Sequence, residues 1–174
     1  MEVSIRKINV ADVDALSAIA RQTFYDTFTG TCSEEDMQDF LQRYYNTVQL
    51  SSELNNPLTF CYFAEVDNIP VAYLHFMEDY KGLPLMKKWK ALELKRLYIL
   101  KEYQGTGIAQ KLMDLFLTYA AENNYEVVWL SVWEHNLKAQ KFYKKYDFEN
   151  TGYTHNFPIG NTPQTDFWFW KFLK

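Results

Sequence analysis

The sequence predicts an α/β fold built on one mixed β-sheet, and two patterns support this prediction. Residues 92–146 alternate strand, helix, strand and helix, so the strands at 92–99 and 127–132 are expected to pair in parallel through a right-handed crossover. Hairpin patterns lie on either side, around Asp67 and Asn68 and around residues 158–163, and these imply antiparallel pairs. We therefore expect a twisted sheet of six to seven strands with helices on both faces.

Alternating apolar residues, helical periodicity and turn residues place the individual elements. Asp12 is expected to cap the first helix, Gly30 to end it, and Ser33, which precedes three acidic residues, to cap the second. The predicted elements are a strand at 2–9, helices at 12–28, 33–45 and 47–54, strands at 59–66 and 69–76, an exposed loop at 80–91, a strand at 92–99, a helix at 107–123, a strand at 127–132, a helix at 136–146, and strands at 149–157 and 166–172.

Length and composition limit the class of protein. The chain has 174 residues, 48% of them hydrophobic, which fits a single domain over 1–174 and excludes a disordered chain. No stretch approaches the ~18 consecutive apolar residues of a membrane span, and the N-terminus lacks the pattern of a secretory signal. Cys32 and Cys61 have no metal-type spacing and do not suggest a disulfide framework. These features predict a reduced, cytoplasmic protein without a metal site.

The charge balance limits the classes of binding partner that the sequence predicts. With 18 basic and 22 acidic residues the formal net charge is −4. This argues against a nucleic-acid surface and is compatible with a cationic substrate.

The most informative segment is residues 97–109, where an apolar strand leads through a turn with Gly105 and Gly107 into an amphipathic helix. The N-terminus of a helix carries unpaired N–H donors and the positive end of the helix dipole, so this turn suits a phosphate or pyrophosphate. No Lys-Ser or Lys-Thr pair follows the glycines, which excludes a Walker loop. Gln110 stands where a dinucleotide fingerprint has its third glycine, which excludes that motif too.

A second segment, residues 134–148, begins another helix. Asn136 lies where a helix cap is expected, and Asn136, Ala139 and Tyr143 share one helical face. The aromatic pair Phe142 and Tyr143 is separated by about 100° around the helix, so Phe142 is expected in the core and Tyr143 on the face of Asn136.

In combination, the two segments resemble the signatures of the GNAT acyl-CoA N-acetyltransferases. Gln104, Gly107 and Ala109 occupy the places of the Gln/Arg-x-x-Gly-x-Gly/Ala signature, and residues 136–143 match Asn-x-x-Ala-x-x-Phe-Tyr. The resemblance covers residues 59–172. The segments 93–99, 129–136 and 160–171 are most similar to the PaiA-type spermidine/spermine acetyltransferases.

The resemblance implies a GNAT fold and acetyl-CoA as co-substrate, without a metal. It assigns the pantetheine arm to the strand backbone at 97–99 and the pyrophosphate to the turn at 104–109, with Asn136 beside the same groove. The implied cofactor-binding residues are Leu97, Tyr98, Ile99, Gln104, Gly105, Thr106, Gly107, Ile108, Ala109 and Asn136.

The resemblance also implies the catalytic residues, Glu93 as general base and Tyr143 as general acid. A primary amine has a pKa of ~10, judged from lysine, so a base must remove its proton before attack. Tyr143 would protonate the departing CoA thiolate, where its placement matters more than its acidity. From strand alternation, Glu93 is expected on the face of Lys95, Leu97 and Ile99.

The implied function is transfer of an acetyl group to a primary amine, with a small polyamine-like molecule as the expected acceptor. A protein or peptide acetyltransferase and a non-catalytic acyl-CoA-binding module remain as alternatives. The acidic residues between 34 and 39 are either an anionic lip of the acceptor site or a solvated helix face. The apolar run at 167–172 is either buried on both sides or part of a contact between subunits, so a homodimer stays open.

Overall fold

A computed structural model describes residues 1–173 as seven strands in one sheet, ordered β1-β2-β3-β4-β5-β7-β6. The strands are β1 (Ser4–Lys7), β2 (Thr59–Val66), β3 (Ile69–Met77), β4 (Ala91–Ile99), β5 (Val127–Trp133), β6 (Glu149–Asn156) and β7 (Thr165–Phe172). Strands β4 and β5 pair in parallel and the other neighbouring strands pair antiparallel. This confirms the predicted mixed sheet.

Five α-helices cover the two faces of the sheet. They are α1 (Val13–Phe28), α2 (Glu34–Tyr44), α3 (Thr47–Leu54), α4 (Ile108–Glu122) and α5 (Leu137–Lys145). Helices α1, α2 and α3 pack on one face around Phe63 and Tyr73, whereas α4 and α5 pack on the other around Leu74 and Phe76. The alternation of side chains along β2 and β3 separates these two cores.

One predicted helix cap is confirmed and one is wrong. The Ser33 hydroxyl accepts a hydrogen bond from the Asp36 N–H at 3.1 Å and so caps α2. In contrast, the chain enters α1 through a 3₁₀ turn at Val10–Asp12 that Asn9 caps. The Asp12 carboxylate accepts bonds from the Asn9 N–H and the Arg6 guanidinium, which leaves it unable to cap α1.

The segment 80–91 is not the exposed loop that its lysines suggested. It forms a 3₁₀ helix at Pro84–Lys88 and buries Leu83 and Met86 against Trp129 and Trp168. Leu83 and Met86 are three residues apart, so they lie on the same side of this 3₁₀ turn. The free energy gained by burying these two side chains holds the segment against the sheet, while the lysines remain on the outside.

Strand β7 contains the apolar run at 167–172, for which burial on both sides and a contact between subunits were the two alternatives. Trp168 and Phe169 of β7 are buried on opposite faces of the sheet, as the burial alternative requires, whereas Phe172 is 43% exposed beside Trp89. The homodimer stays a prediction.

A split between β4 and β5 creates the space for a site. These strands pair only over Ala91–Leu94 and Val127–Leu130. Farther along, β4 remains paired with β3 as far as Ile99, and β5 remains paired with β7 as far as Trp133. The sheet therefore opens into two halves, and the β4 backbone beyond Leu94 presents polar groups to the gap instead of to a strand.

A β-bulge lies at the start of this split. His75 pairs with Arg96 and Phe76 with Leu94, so Lys95 is the extra residue on β4. As a result Leu94 and Leu97, three residues apart, both pack on the α4 side.

Candidate active site

The split opens into a cleft of about 1030 Å³ that brings the predicted motifs together. Its walls come from β4, the end of β5, the glycine turn, α5, α1 and the C-terminal segment. Nine of the predicted site residues line it, namely Glu93, Leu97, Tyr98, Ile99, Gln104, Gly105, Ala109, Asn136 and Tyr143.

The glycine turn presents backbone donors at the mouth of this cleft. Gly105 has φ +80° and Gly107 has φ +89°, a left-handed conformation that glycine adopts without steric cost. A Cβ on either glycine would meet nothing within 4 Å, so conformation, not crowding, explains the glycines. Within residues 1–173, the backbone N–H groups of 105–110 have no acceptor. A phosphate is a suitable acceptor for such a group of donors.

Three predicted cofactor-binding residues of the turn, Thr106, Gly107 and Ile108, do not line the cleft. Thr106 donates its hydroxyl hydrogen to the Tyr103 carbonyl at 2.6 Å, which shapes the turn. Ile108 is 1% exposed and packs in the core under α4. Gly107 is the N-terminal cap residue of α4. Gly107 and Ile108 therefore offer a ligand only their backbone groups.

A lysine that the sequence did not single out, Lys138, links α5 to the glycine turn at the mouth of the cleft by a hydrogen bond. Lys138 on α5 donates from Nζ to Oε1 of Gln104 at 2.7 Å, and the Gln104 amide donates to the Ile99 carbonyl at 3.3 Å. Of the four lysines between 138 and 145, Lys138 lines the cleft. Its ammonium adds a positive charge beside the turn.

Asn136 fulfils both roles expected of it. Its side-chain oxygen accepts the Ala139 N–H at 3.1 Å and caps α5, while the residue lines the cleft. The buried Gln140 holds the same corner by donating to the carbonyls of Trp133 and Glu134, at 3.2 and 2.9 Å. These bonds fix the start of α5 against the end of β5.

Tyr143 lies between the core and the cleft. It is 8% exposed, packs against Phe142 and Phe148, and lines the cleft together with Phe142. The predicted division, with Phe142 in the core and Tyr143 in the cleft, is therefore too simple. Burial raises the pKa of Tyr143 above its ordinary value, so the phenol keeps its proton throughout the physiological pH range.

Glu93 is a buried carboxyl that faces the cleft. It is 9% exposed and makes no hydrogen bond or ion pair with any other residue in the described part of the chain. Burial raises the pKa of Glu93 to about 7, although Lys95 acts in the opposite direction. A carboxyl with this pKa can exist in both forms near neutral pH.

The expected face of Glu93 is wrong. Leu94 packs on the α4 side of the sheet, so Glu93 points to the opposite side, towards α1. Leu97 and Ile99 are on the α4 side because the bulge at Lys95 interrupts the two-residue alternation.

A largely buried ionic cluster in the wall of the cleft was not predicted from the sequence. The Arg96 guanidinium donates to both carboxylate oxygens of Glu53 and lies 5.0 Å from the ring centre of Tyr45. Burial acts to raise the pKa of Glu53, but Arg96 outweighs it and lowers the value to about 2. Burial lowers the pKa of the adjacent His75 to about 3, so its imidazole is neutral. The cluster holds α3 against β4, and only tertiary contact brings its members together.

The acidic residues at the start of α2 do not line the cleft. Glu34 accepts bonds from Tyr25 and Gln38, and Asp36 lies against Gly160, where a Cβ would come within 2.1 Å of it. The acidic side chains that do line the cleft include Glu93 and Asp166. The solvated-face alternative therefore accounts for α2 better than an anionic lip.

Comparison with known proteins identifies the family to which this geometry belongs. The family model described as Acetyltransferase (GNAT) family matches residues 17–148, about three quarters of the chain. The chain belongs to the acetyltransferase (GNAT) family. Membership confirms the expected fold and the expected class of enzyme, an N-acetyltransferase that depends on acetyl-CoA.

Individual relatives agree with this assignment. An uncharacterized N-acetyltransferase of Lactobacillus delbrueckii subsp. lactis is 34% identical over 172 residues, 98% of either chain. A spermidine N(1)-acetyltransferase of Thermoplasma acidophilum is 24% identical over 116 residues, 65% of this chain and 67% of that one. The crystal structure of the PaiA N-acetyltransferase from Thermoplasma acidophilum, in complex with coenzyme A, superimposes with a TM-score of 0.79 at 22% identity, covering 99% of each chain.

No helix in the described part of this GNAT protein is long and apolar enough to cross a membrane.

Proposed function

We propose that this acetyltransferase moves the acetyl group of acetyl-CoA to a primary amine of a small, polyamine-like acceptor. The observation that carries the proposal is the unpaired, buried Glu93 carboxyl in a cleft whose other end has the phosphate-binding turn. A carboxyl in this position attracts a cationic amine and can also take its proton.

The cofactor side of the cleft fits coenzyme A. The free N–H groups of 105–110 and the Lys138 ammonium would bind the phosphates, and the β4 backbone beyond the split would hold the pantetheine arm. These ligands are mainly backbone groups, which explains why the sequence there is recognisable mostly by its glycines.

Glu93 acts as the general base in this proposal. Its pKa of about 7 makes a large fraction ionised at neutral pH, so it can accept a proton from the ammonium form of the acceptor, directly or through a water molecule. The neutral amine nitrogen then attacks the thioester carbonyl and forms the C–N bond. The nitrogen loses its second proton to solvent as the intermediate collapses, and the Tyr143 phenolate that remains after CoA leaves as a thiol regains a proton from solvent.

Tyr143 supplies the second proton transfer. When the C–S bond breaks, the sulfur leaves as a thiolate, whose conjugate acid has a pKa of ~8.5 by analogy with cysteine. Burial weakens Tyr143 as an acid, so its proton must move as the bond breaks and not after a free thiolate has formed. This requirement makes the position of the hydroxyl decisive.

The opposite wall suits an aliphatic amine. Five aromatic residues from α1, α2 and the residue after α2 line it, namely Phe24, Phe28, Phe40, Tyr44 and Tyr45. Aromatic rings bind methylene chains by apolar contact and ammonium groups by cation–π attraction. The Thermoplasma acidophilum relative is a spermidine N(1)-acetyltransferase, which supports an acceptor of this kind.

A screen of acceptors tests the proposal. The full-length protein is incubated with acetyl-CoA and separately with polyamines, aliphatic monoamines and lysine-containing peptides, and each product is identified by mass spectrometry. We expect acetylated polyamines and release of free CoA. Acetylated peptides with unmodified polyamines would support the protein acetyltransferase alternative, and CoA binding without any product would support the non-catalytic module.

A further inference from the structure

Asp166 on β7 is a second carboxyl in the cleft, partly buried, that the mechanism above does not use. Its Oδ1 atom is inaccessible to solvent and has no hydrogen-bond partner among residues 1–173, and the residue lines the same cleft as Glu93. A buried carboxylate oxygen without a partner is costly, because it has lost its hydration without gaining a donor. The residue as a whole is only partly buried and lines the cleft, so a cation bound there would offset this cost.

The groups around Asp166 do not neutralise it. The paired residue on β6, His155, has a pKa lowered by burial and is neutral at pH 7. Burial raises the pKa of Asp166 to about 7, a hydrogen bond with the Ser131 hydroxyl lowers it, and the negative charge of Glu134 raises it. The ion pairs of the described chain include none with Asp166. A cation that entered the cleft would therefore meet a carboxyl that pairs with no cationic side chain among residues 1–173.

The strand register places Asp166 and Glu93 at separate points on one face of the sheet. Glu93 pairs with Trp129 of β5, whereas Asp166 pairs with Trp133, four residues farther along the same strand. At a rise of about 3.3 Å per residue, these pairs lie roughly 13 Å apart along β5, and the two carboxyls belong to strands on either side of β5. A single ammonium group cannot contact both carboxyls over this separation.

The surface between the carboxyls is apolar and aromatic. Ser131 and Trp168 form the intervening pair on the same face. Trp168 stacks with His155 and lies tilted against Trp129, with ring centres 5.1 Å apart in both pairs. An indole face binds methylene groups and also attracts ammonium groups. Trp129 is fully buried and Trp168 is 4% exposed, so the part of the floor that an aliphatic chain could contact is the edge of Trp168 that lines the cleft, together with Ser131.

We propose that Asp166 is the second anchor for the acceptor, binding one ammonium group of a diamine or polyamine while Glu93 receives the amino group that reacts. The proposal rests on the proposed function and specifies its substrate class, because two separated carboxyls select acceptors with two cationic nitrogens over monoamines.

The test compares steady-state kinetics of wild type and Asp166→Asn with two acceptors, spermidine and butylamine, at saturating acetyl-CoA. Asn keeps the size of the side chain and removes the charge. We expect the KM for spermidine to rise by roughly 10- to 100-fold, the usual worth of a hydrogen bond to a charged group. The KM for butylamine should change less than about 2-fold, because a monoamine contacts only Glu93. The kcat for either amine should change little.

Two further variants separate binding from folding. Asp166→Glu keeps the charge and should restore most of the preference for spermidine. Asp147→Asn removes an exposed carboxylate that pairs with Lys171 outside the cleft and should leave both KM values unchanged. Circular dichroism verifies that each variant is folded.

Several outcomes would overturn the proposal. Equal changes in the two KM values for Asp166→Asn, or no change in either, would show that Asp166 does not recognise a second nitrogen. An unfolded Asp166→Asn together with a folded Asp166→Glu that has lost the preference for spermidine would also contradict it. If the wild type acetylates neither amine, the proposed function itself is contradicted. If the wild type acetylates both amines and Asp166→Asn does not alter its preference for spermidine, only the role of Asp166 is contradicted.

Discussion

At the scale of single residues, the account depends on Tyr143. Its ring packs with Phe142 and Phe148, so a core role alone could explain why a tyrosine is present. The hydroxyl separates the two interpretations, because phenylalanine would fill the same space. The sequence motif placed this residue at the cleft correctly but could not reveal that its ring is also part of the core.

We predict that Tyr143→Phe lowers kcat by about 10²–10⁴-fold, the usual contribution of a positioned general acid. Affinity for acetyl-CoA should stay near the wild-type value, because the acid acts mainly in the transition state. The measurements are kcat under conditions where chemistry limits the rate and calorimetric titration with acetyl-CoA.

Tyr146→Phe is the matched control for this prediction. It removes a hydroxyl on the same helix that donates to Asp114 at 3.3 Å, and Tyr146 does not line the cleft. Its kcat should remain close to wild type. A folded Tyr143→Phe enzyme with full kcat would return Tyr143 to a purely structural role.

For Glu93 we predict a change in the pH dependence of the rate. In the wild type, kcat/KM for the amine should rise with pH through about 7 as the carboxyl ionises. Glu93→Gln should lose most activity near neutral pH and recover part of it at high pH, where free amine is abundant. Identical pH–rate profiles for the two proteins would exclude Glu93 as the base.

The Glu93 carboxyl should also make the free energy of unfolding depend on pH. Its ionisation should lower the stability of the fold, whereas ionisation of an ion-paired acid raises it. The folded-state pKa of Glu93 is raised from 4.5 to about 7, so ionisation destabilises the fold as pH increases through this interval. Glu93→Gln removes the ionisable group and should be the more stable protein at pH 8, by up to roughly 3 kcal/mol. Near pH 4.5 the difference should disappear. Urea unfolding at both pH values measures it, and a Glu93→Gln protein less stable at pH 8 would contradict a buried, unpaired carboxylate.

The sequence located Glu93 but not its direction. Strand alternation placed it with Leu97 and Ile99, and the bulge at Lys95 put it on the other face. A bulge depends on how one strand pairs with the next, so local periodicity does not contain it. Asp166 was hidden for a related reason, since an acid at the start of an apolar strand resembles an ordinary strand end until the neighbouring strands are known.

At the scale of elements, the glycine turn at the start of α4 is the feature that the sequence predicted best. Positive φ at Gly105 and Gly107 and the free N–H groups follow from the residues themselves. In contrast, the order of the strands in the sheet and the covering 3₁₀ turn at Pro84–Lys88 depend on contacts between distant segments. Local patterns predicted the element boundaries to within a few residues and did not predict these long-range features.

We predict that Gly107→Glu weakens CoA binding by at least about 10-fold, because a carboxylate would stand beside the bound phosphates and repel them. Any side chain at φ +89° also costs about 1–2 kcal/mol of strain. Gly107→Gln carries the same strain without the charge and is therefore the control. Calorimetric titration with CoA measures both, and equal affinities for the Glu and Gln variants would show that the phosphates bind elsewhere.

Gly152→Glu tests whether the effect is local. Gly152 also has a positive φ, +83°, and lies on the exposed strand β6 with open space around it. This variant should bind CoA like the wild type, even if it is less stable.

At the scale of the whole molecule, the sheet opens into two halves, and the proposed chemistry takes place in the gap between them. The half that contains β4 brings Glu93 and the backbone of Leu97, Tyr98 and Ile99, and the half that contains β5 brings Asp166. Helix α5 adds Tyr143. The residues described around the cleft include no cysteine, which leaves direct attack by the amine as the simplest route.

Direct attack requires acetyl-CoA and the amine to be bound at the same time. The measurement that tests this central claim is a steady-state experiment in which initial rates are recorded while acetyl-CoA and spermidine are varied independently. We predict that double-reciprocal plots give intersecting lines, as expected for a ternary complex. Parallel lines, the mark of an acetylated enzyme that forms before the amine binds, would contradict the account.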